Sequence, residues 1–303
     1  MSSLFDRRLL VVTGKGGVGK STISAGLAVA AARRGKRVLV CEVNTKERIS
    51  ALLEHAPVGE EIGNLIENVD AVNVEPHSAM REYALMVLKF KSIYNAVFEN
   101  RLVRYFLRAI PSLAELVMLG KILFHVKETL PDGRFRYDLI VLDAPATGHG
   151  ITFLRVPQIV IDTVPSGPMA DDARWMNAIL MSPEKTAVVL VTLPEAMPVN
   201  ETVELNRAVR DLLGMPRGAV ILNGYVEPTF SPEEVERLRA APSELAGAAH
   251  DALRRETRAE LSVKYDAKLR VDIGLPQFTV PFLFTPRFGR AAVEEIARLL
   301  EKA

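Results

Sequence analysis

Residues 14–21 read GKGGVGKS, which matches the pattern GxxxxGK(S/T) of a phosphate-binding loop, or P-loop. An apolar run at 9–13 precedes this loop, and a helical pattern at 21–34 follows it. In such a strand–loop–helix setting, glycines let successive backbone N–H groups face one concavity, and the start of the helix adds partial positive charge. The stretch therefore predicts a binding site for a nucleoside triphosphate.

Three polar side chains of the loop have predicted roles. The Lys20 ammonium binds the β- and γ-phosphates, the Ser21 hydroxyl binds Mg²⁺, and Thr22 reaches the α-phosphate. A glycine-rich loop without a ligand is the alternative, but the glycine spacing, the lysine, the serine and both flanks agree with the motif. The residues that we expect to surround the phosphates are Gly14, Gly16, Gly17, Val18, Gly19, Lys20, Ser21 and Thr22.

Short apolar runs recur between helical patterns along the rest of the chain. The runs lie at 38–41, 139–142, 187–192 and 219–222, and their continuous apolar character is typical of strands buried on both faces of a parallel sheet. Helical patterns lie at 201–213, 232–239 and 290–301. This alternation predicts an α/β fold, a P-loop NTPase with a doubly wound, mostly parallel sheet.

Composition excludes several classes of protein. The 303 residues carry 38 Lys and Arg against 37 Asp and Glu, so a net charge of +1 gives no general attraction to nucleic acid or to an anionic membrane. The one cysteine, Cys41, excludes an intrachain disulfide and a CxxC zinc site. Apolar runs are far shorter than the roughly 20 residues of a spanning helix. We expect a cytoplasmic protein with no signal peptide, no nucleic-acid partner and no stable membrane insertion.

Two segments interrupt the strand–helix alternation. Residues 78–130, with a break at Pro111, and residues 165–185 are helical in pattern. We expect one P-loop domain over 1–303 with a helical subdomain inserted at these two segments. Their apolar surface either forms a core of its own or lines a groove for a client, since methionine suits adaptable surfaces. The methionines in question are Met80, Met86, Met118, Met169, Met176 and Met181.

Several further motifs follow the loop in a fixed order. They are LDAPATGH at 142–149, FLRVP at 153–157, LPE at 193–195, ILN at 221–223 and VPFL at 280–283. Together with Lys15, which makes the loop a deviant P-loop, they resemble the ArsA family of arsenite-pump ATPases. That family includes the ATPase that targets tail-anchored membrane proteins. The resemblance implies an enzyme that converts ATP and water to ADP and phosphate.

The resemblance also implies roles for individual residues. Asp143 would hold Mg²⁺, Asn223 would contact the adenine edge, and Pro281 and Phe282 would lie over the base. Lys15 would cross a dimer interface to the phosphates of the partner and neutralise charge in the transition state. The bland alternatives are a strand-end aspartate, a turn at Asn223-Gly224 and a solvated loop lysine.

The DAPATGH stretch also suggests a switch. Gly148 would give the backbone the freedom to approach or leave a γ-phosphate, as a switch that senses hydrolysis requires. His149 either couples this switch to the helical subdomain or is a satisfied structural histidine.

Switch I departs from the family pattern S-T-D-P-A. The chain reads Glu42-Val43-Asn44-Thr45-Lys46, so Asn44 stands where a water-activating aspartate is expected. An asparagine orients water but cannot take its proton, and Glu42, two residues earlier on the same face of an extended strand, is the second candidate. We therefore expect slow hydrolysis, or a partner that completes the site. The alternative is a hydrolysis-impaired, ATP-sensing regulatory subunit that acts through a partner protein.

The expected partners follow from the single loop and the single cysteine. The chain has one P-loop where the pump ATPase has two halves, so two chains must form the dimer, as a homodimer or as a heterodimer with a related ATPase. One thiol does not supply the set that arsenite needs, which disfavours a role in an arsenite pump. We expect a protein client instead, and the resemblance implies that this client contains a hydrophobic helix. The lack of a terminal amphipathic helix and the T-G-H stretch disfavour a positioning ATPase of the MinD/ParA type.

Overall fold

Eight strands form one sheet in a computed structural model that describes residues 3–88 and 113–303. Their order across the sheet is β3-β4-β2-β5-β1-β6-β7-β8, and all neighbours are parallel except β3 and β4. The strands are β1 Leu9–Gly14, β2 Val38–Val43, β3 Gly63–Ile66, β4 Val69–Val74, β5 Leu139–Asp143, β6 Thr186–Thr192, β7 Arg217–Tyr225 and β8 Gln277–Pro281.

Helices cover both faces of the sheet. They are α1 Lys20–Arg33, α2 Ile49–Leu52, α3 Pro76–Leu88, α4 Leu113–Lys127, α5 Thr147–Thr163, α6 Pro168–Met181, α7 Ala196–Arg207, α8 Pro232–Arg239, α9 Ala246–Ile273 and α10 Arg290–Leu300. A π-helical segment, Ala208–Leu213, continues α7, and the 3-10 turns are Leu4–Asp6 and Ser243–Leu245. The predicted doubly wound, mostly parallel α/β fold is confirmed.

Three strands were not predicted, and each has a physical reason. β3, β4 and β8 lie at or next to the edges of the sheet, where one face or one side meets solvent. Polar residues such as Asp70, Asn73 and Gln277 interrupt their apolar runs, so the pattern of a doubly buried strand is lost. The helix predicted at 201–213 starts earlier, at Ala196, and ends in π-helical geometry.

Successive residues of β1 belong to two separate hydrophobic clusters. Leu9 and Val11 pack with α4, α5 and α6 on one face, whereas Leu10 and Val12 pack with α1 and α10 on the other. All four side chains are fully buried. Because both layers are tightly packed, the carboxyl ends of β1, β2 and β5 are held in fixed register, and the P-loop follows the first of them.

Helices α4 and α6, which lie in the two segments predicted to be inserts, contribute side chains to the hydrophobic cluster on one face of the sheet. Leu119, Ile122 and Leu123 of α4 are fully buried there. Met118 and Met176 are buried in the same cluster, and a side chain on Gly120 would meet the Met176 methyl group at 2.6 Å. Met80, Met169 and Met181 pack partly buried against it. The predicted break at Pro111 lies outside the described residues, and so does the side chain of Met86.

The described helices include none with both the length and the apolar character needed to cross a membrane.

Candidate nucleotide site

The loop between β1 and α1 has the backbone of an anion cradle. Gly17 and Gly19 have φ values of 87° and 90°, a left-handed conformation that side chains disfavour. A side chain on Gly19 would also lie 2.3 Å from the Asn223 amide nitrogen, and one on Gly14 would lie 2.3 Å from the Val191 carbonyl oxygen. No side chain caps the start of α1 at Gly19, so the first N–H groups of the helix are available to an anion.

Lys20, Ser21 and Asp143 meet at the end of this loop. The Ser21 hydroxyl donates to Asp143 Oδ2 at 2.6 Å, and the Ser24 hydroxyl donates to Oδ1 at 3.2 Å. Lys20 Nζ donates to the Lys15 carbonyl at 3.0 Å. Burial raises the pKa of Asp143 and lowers the pKa of Lys20, since each charge loses water.

The contact between Ser21 and Asp143 fits a magnesium ion. A hydroxyl and a carboxylate side by side supply the oxygen ligands that Mg²⁺ prefers. Residues 3–88 and 113–303 contain no cluster of three or more His, Cys, Asp or Glu side chains able to hold a metal. An ion here would therefore need phosphate oxygens and water to complete its shell.

A cavity of about 490 Å³ opens beside the loop. This volume is in the range of pockets that hold ligands of nucleotide size. The lining contains five residues of the predicted phosphate site, and also six residues for which no site role was predicted. The full lining is Gly17, Gly19, Lys20, Ser21, Thr22, Lys46, Glu47, Arg48, Ala51, Leu52 and Phe288.

Lys15 is bound away from this cavity. Its ammonium forms an ion pair with Glu201 of α7 at 2.6 Å and contacts the Met197 sulfur at 2.7 Å. Both charged side chains are about a third exposed. Within one chain, Lys15 therefore points toward α7, and its charge is balanced before any partner arrives.

The two switch I residues proposed to act on water, Asn44 and Glu42, differ in burial. Asn44 is exposed and has a φ of 44°, a left-handed conformation that asparagine tolerates. Glu42 is 2% exposed, and its carboxylate accepts hydrogen bonds from the backbone N–H groups of Arg48, at 2.8 Å, and Ile49, at 3.3 Å. Glu42 thus holds the start of α2 in this conformation.

The Glu42 carboxyl has a strongly shifted pKa. The pKa of Glu42 is raised from 4.5 to about 7; burial is the main cause and the charge of Asp143, its register partner on β5, adds to it, while the N–H donors of Arg48 and Ile49 oppose the shift. A carboxylate whose folded-state pKa is raised stabilises the fold most at low pH, and this contribution is lost as the pH rises from 4.5 through 7.

We expect Glu42→Gln to gain stability relative to the wild type as the pH rises. Glutamine does not titrate, so the difference in free energy of unfolding should change by roughly 2 kcal/mol between about pH 5 and about pH 8. Urea unfolding of both proteins without nucleotide or metal measures this change. Glutamine has one acceptor oxygen where glutamate has two, so the variant loses a hydrogen bond at every pH. This loss shifts the free energy of unfolding by a constant amount, which cancels when the difference at one pH is compared with that at another. A difference that is independent of pH would show that Glu42 is ionised throughout.

The residues predicted to contact the base, Asn223 and Pro281, lie at or near the ends of two neighbouring strands, and Asn223 contacts the P-loop. Asn223 donates from Nδ2 to the Val18 carbonyl at 2.9 Å, so its amide supports the P-loop itself. The alternative, a turn at Asn223-Gly224, is wrong because both residues lie within β7. The pairing of β7 with β8 shifts between Asn223 and Tyr225, and Gly224, at this shift, has a φ of 69°. Pro281 ends β8.

Phe282 is an exposed residue of the loop after β8. Its ring contacts Phe284 edge-on, with the ring centres 4.8 Å apart. Neither Pro281 nor Phe282 is among the described residues that line the cavity, whereas Phe288 from the same loop is. Phe288 was not predicted because it follows the VPFL motif at 280–283 by several residues.

The second switch stretch leads into α5. Gly148 and His149 are both exposed in its first turn. The crowded glycine is Gly150, where a side chain would lie 2.5 Å from the Pro145 carbonyl oxygen. The freedom to move at this loop therefore lies N-terminal to Gly150.

Comparisons with known proteins identify a family that matches this chain. Residues 7–165 match the family model of the anion-transporting ATPases, ArsA. ATPase BagA of Mycobacterium tuberculosis is 34% identical over 247 residues, which cover 78% of this chain and 70% of BagA. An arsenical pump-driving ATPase of Acidiphilium multivorum is 28% identical, over 72% of this chain and 39% of its own length. The ATPase ASNA1 homolog 1 of Paramecium tetraurelia is 28% identical, over 50% and 44%.

Proposed function

The chain belongs to the ArsA family of anion-transporting ATPases and is an ATPase, and from that premise we propose that it works as a dimeric switch. Two chains, identical or related, close around Mg²⁺ and ATP, and they open after hydrolysis. The observation that carries the proposal is the contact of Ser21 with Asp143 at a P-loop whose cavity is lined by Lys20, Lys46 and Arg48.

The residues of the loop have separate tasks in binding. Backbone N–H groups from Gly16 to Ser21 surround the β-phosphate, and the Lys20 ammonium binds the β- and γ-phosphates. Ser21 and Asp143 hold Mg²⁺, which neutralises charge on the same two phosphates when it is bound. Thr22 lies at the α-phosphate, and Asn223 keeps the loop in shape through Val18.

Hydrolysis is an in-line displacement. Water attacks the γ-phosphorus, the bond between that phosphorus and the bridging oxygen of ADP breaks, and the protons of the water pass to the products. Asn44 orients the water. Lys15 of the second chain contacts the phosphates and stabilises the charge that develops on the bridging oxygen.

A protein client would bind at segments 78–130 and 165–185, whose sequence pattern predicts helices; residues 89–112 of the first segment lie outside the described residues. We propose that closure of the dimer rearranges them to bind a protein partner, with an apolar helix as its recognition element. Capture of an apolar helical peptide only in the presence of Mg²⁺ and ATP tests this step, and absence of capture in both nucleotide states would remove it.

A hydrolysis-impaired sensor is the second candidate function. Two observations favour it: Asn44 cannot accept a proton, and Glu42 is engaged with the start of α2. Such a protein would bind ATP and act through a partner without steady turnover.

Turnover of two variants separates these candidates. For an enzyme limited by its base, Asn44→Asp should raise the rate of ATP hydrolysis about tenfold or more, since a general base contributes at least this much. Aspartate tolerates the left-handed conformation at this position, so the fold should persist. Lys20→Ala is the control and should abolish turnover. Phosphate release that is absent in wild type and appears only in Asn44→Asp would instead favour the sensor.

A further inference from the structure

Arg48 is a cation that lines the cavity and has no predicted role in binding or hydrolysis. It lies immediately before α2 and lines the cavity together with Lys20 and Ser21. Its side chain is exposed, and its guanidinium makes no hydrogen bond or ion pair with any other side chain or backbone group in the described part of the chain. An arginine in this state has all five N–H donors free for a ligand.

The charge balance of the lining favours an anionic ligand. Lys20, Lys46 and Arg48 supply three cations, and Glu47 is the one acid among the described lining residues. The Glu47 carboxylate is already occupied, because it accepts hydrogen bonds from the N–H groups of Val58, at 2.8 Å, and Gly59, at 2.6 Å. These neutral donors hold Glu47 in place but do not remove its charge, so three cations against one carboxylate leave the described lining with a net positive charge.

The position of Arg48 along the cavity follows from its backbone. Its N–H group is bound by Glu42, whose Cα is paired in register with Asp143 on the next strand. Burial is the main cause that lowers the pKa of Lys20, and the nearby charge of Arg48 lowers it further. Arg48 therefore lies at the end of the cavity where Lys20 and Asp143 meet.

The other end of α2 leads to an apolar lining. Ala51 and Leu52 line the cavity there, together with Phe288. Glu54, just past α2, forms an ion pair with Arg287 at 3.3 Å, which places the loop of Phe288 against this end. A nucleotide lying in the cavity thus meets apolar groups at one end and Arg48 at the end near Asp143.

We infer that Arg48 contacts the γ-phosphate from within the same chain and is the residue by which the site distinguishes ATP from ADP. The inference rests on the proposed function, since it requires a triphosphate on the P-loop. The planar guanidinium donates two parallel hydrogen bonds to the terminal phosphate oxygens. Removal of that phosphate leaves Arg48 without its ligand, so the loop that precedes α2 responds to hydrolysis.

Binding of two nucleotides to three variants tests the inference. We expect Arg48→Ala to weaken the binding of AMPPNP, a non-hydrolysable ATP analogue, roughly ten- to hundredfold in the presence of Mg²⁺, as loss of a charged hydrogen bond would. The affinity for ADP should change less than about twofold. The affinity of Arg48→Lys for AMPPNP should lie between those of Arg48→Ala and the wild type, because lysine keeps the charge but lacks the two parallel N–H donors of the guanidinium group. Arg239→Ala, which removes an exposed arginine on α8, is the matched control and should bind like wild type.

Each outcome has a distinct meaning. Equal weakening of both nucleotides, or no change in either, would overturn the role of Arg48 and leave the proposed function in place. Wild-type protein that binds neither nucleotide would overturn both. Should Arg48→Ala fail to fold, as judged by its melting temperature, Arg48→Gln keeps a polar side chain without the charge or the guanidinium group and gives the same comparison.

Discussion

Replacing Lys15 with alanine is expected to lower ATP turnover by about a thousandfold, the scale on which a cation supplied in trans acts on phosphoryl transfer. The affinity for ATP should change little in a single chain, because Lys15 is bound to Glu201 and lies away from the cavity. Steady-state phosphate release and equilibrium binding of a fluorescent nucleotide measure the two quantities separately. Lys302→Ala, which removes an exposed lysine near the C-terminus, is the control.

Mixing two inactive variants shows in which chain Lys15 acts. The Lys15→Ala chain keeps an intact P-loop lysine, and the Lys20→Ala chain keeps Lys15. A mixed dimer of the two therefore contains one complete site, and equal mixing should restore about a quarter of wild-type turnover. Activity that does not return on mixing would mean that Lys15 serves its own chain or that no dimer forms.

Asp143→Asn is expected to separate activity from stability. The variant should lose at least a hundredfold in turnover, and Mg²⁺ should no longer strengthen ATP binding, because a neutral amide is a poor ligand for a hard cation. Without nucleotide, its melting temperature at neutral pH should equal or exceed that of the wild type. The buried carboxylate has a raised pKa, so its ionised form destabilises the fold at neutral pH, and the amide removes that charge while its oxygen still accepts from Ser21.

Thermal unfolding and calorimetric titration with and without Mg²⁺ measure these effects. Asp132→Asn, at an exposed turn, controls for the loss of one negative charge. A variant that melts several degrees lower while it retains the magnesium effect would contradict the assignment of Asp143 as the ligand.

Local motifs made much of the fold predictable. The runs at 38–41 and 139–142 are continuous and apolar because both faces of β2 and β5 are covered, and this burial produces the same pattern in any parallel sheet. The P-loop was equally predictable, since its glycines and lysine act within eight successive residues. The edge strands β3 and β8 alternate with polar residues and lack such a pattern.

The parts of the site that escaped prediction come from contacts between distant segments. Phe288 reaches the cavity from the loop before α10, more than 260 residues after the P-loop. Glu201 contacts Lys15 although the two residues are 186 positions apart in the sequence, and the Glu47 carboxylate accepts hydrogen bonds from the backbone of Val58 and Gly59. Nothing in the local spacing of these residues encodes their neighbours, because the packing of helices on the sheet brings them together.

In the proposed dimer, the ion pair between Lys15 and Glu201 would also affect how two subunits approach each other. Facing surfaces that each carried a bare ammonium group near a twofold axis would repel at the start of their encounter. With the carboxylate beside it, each lysine belongs to a neutral pair, which would reduce this repulsion until a bound nucleotide competed for the ammonium group. Glu201 of α7 would then hold the Lys15 ammonium group in place until that group binds the phosphates in the partner subunit.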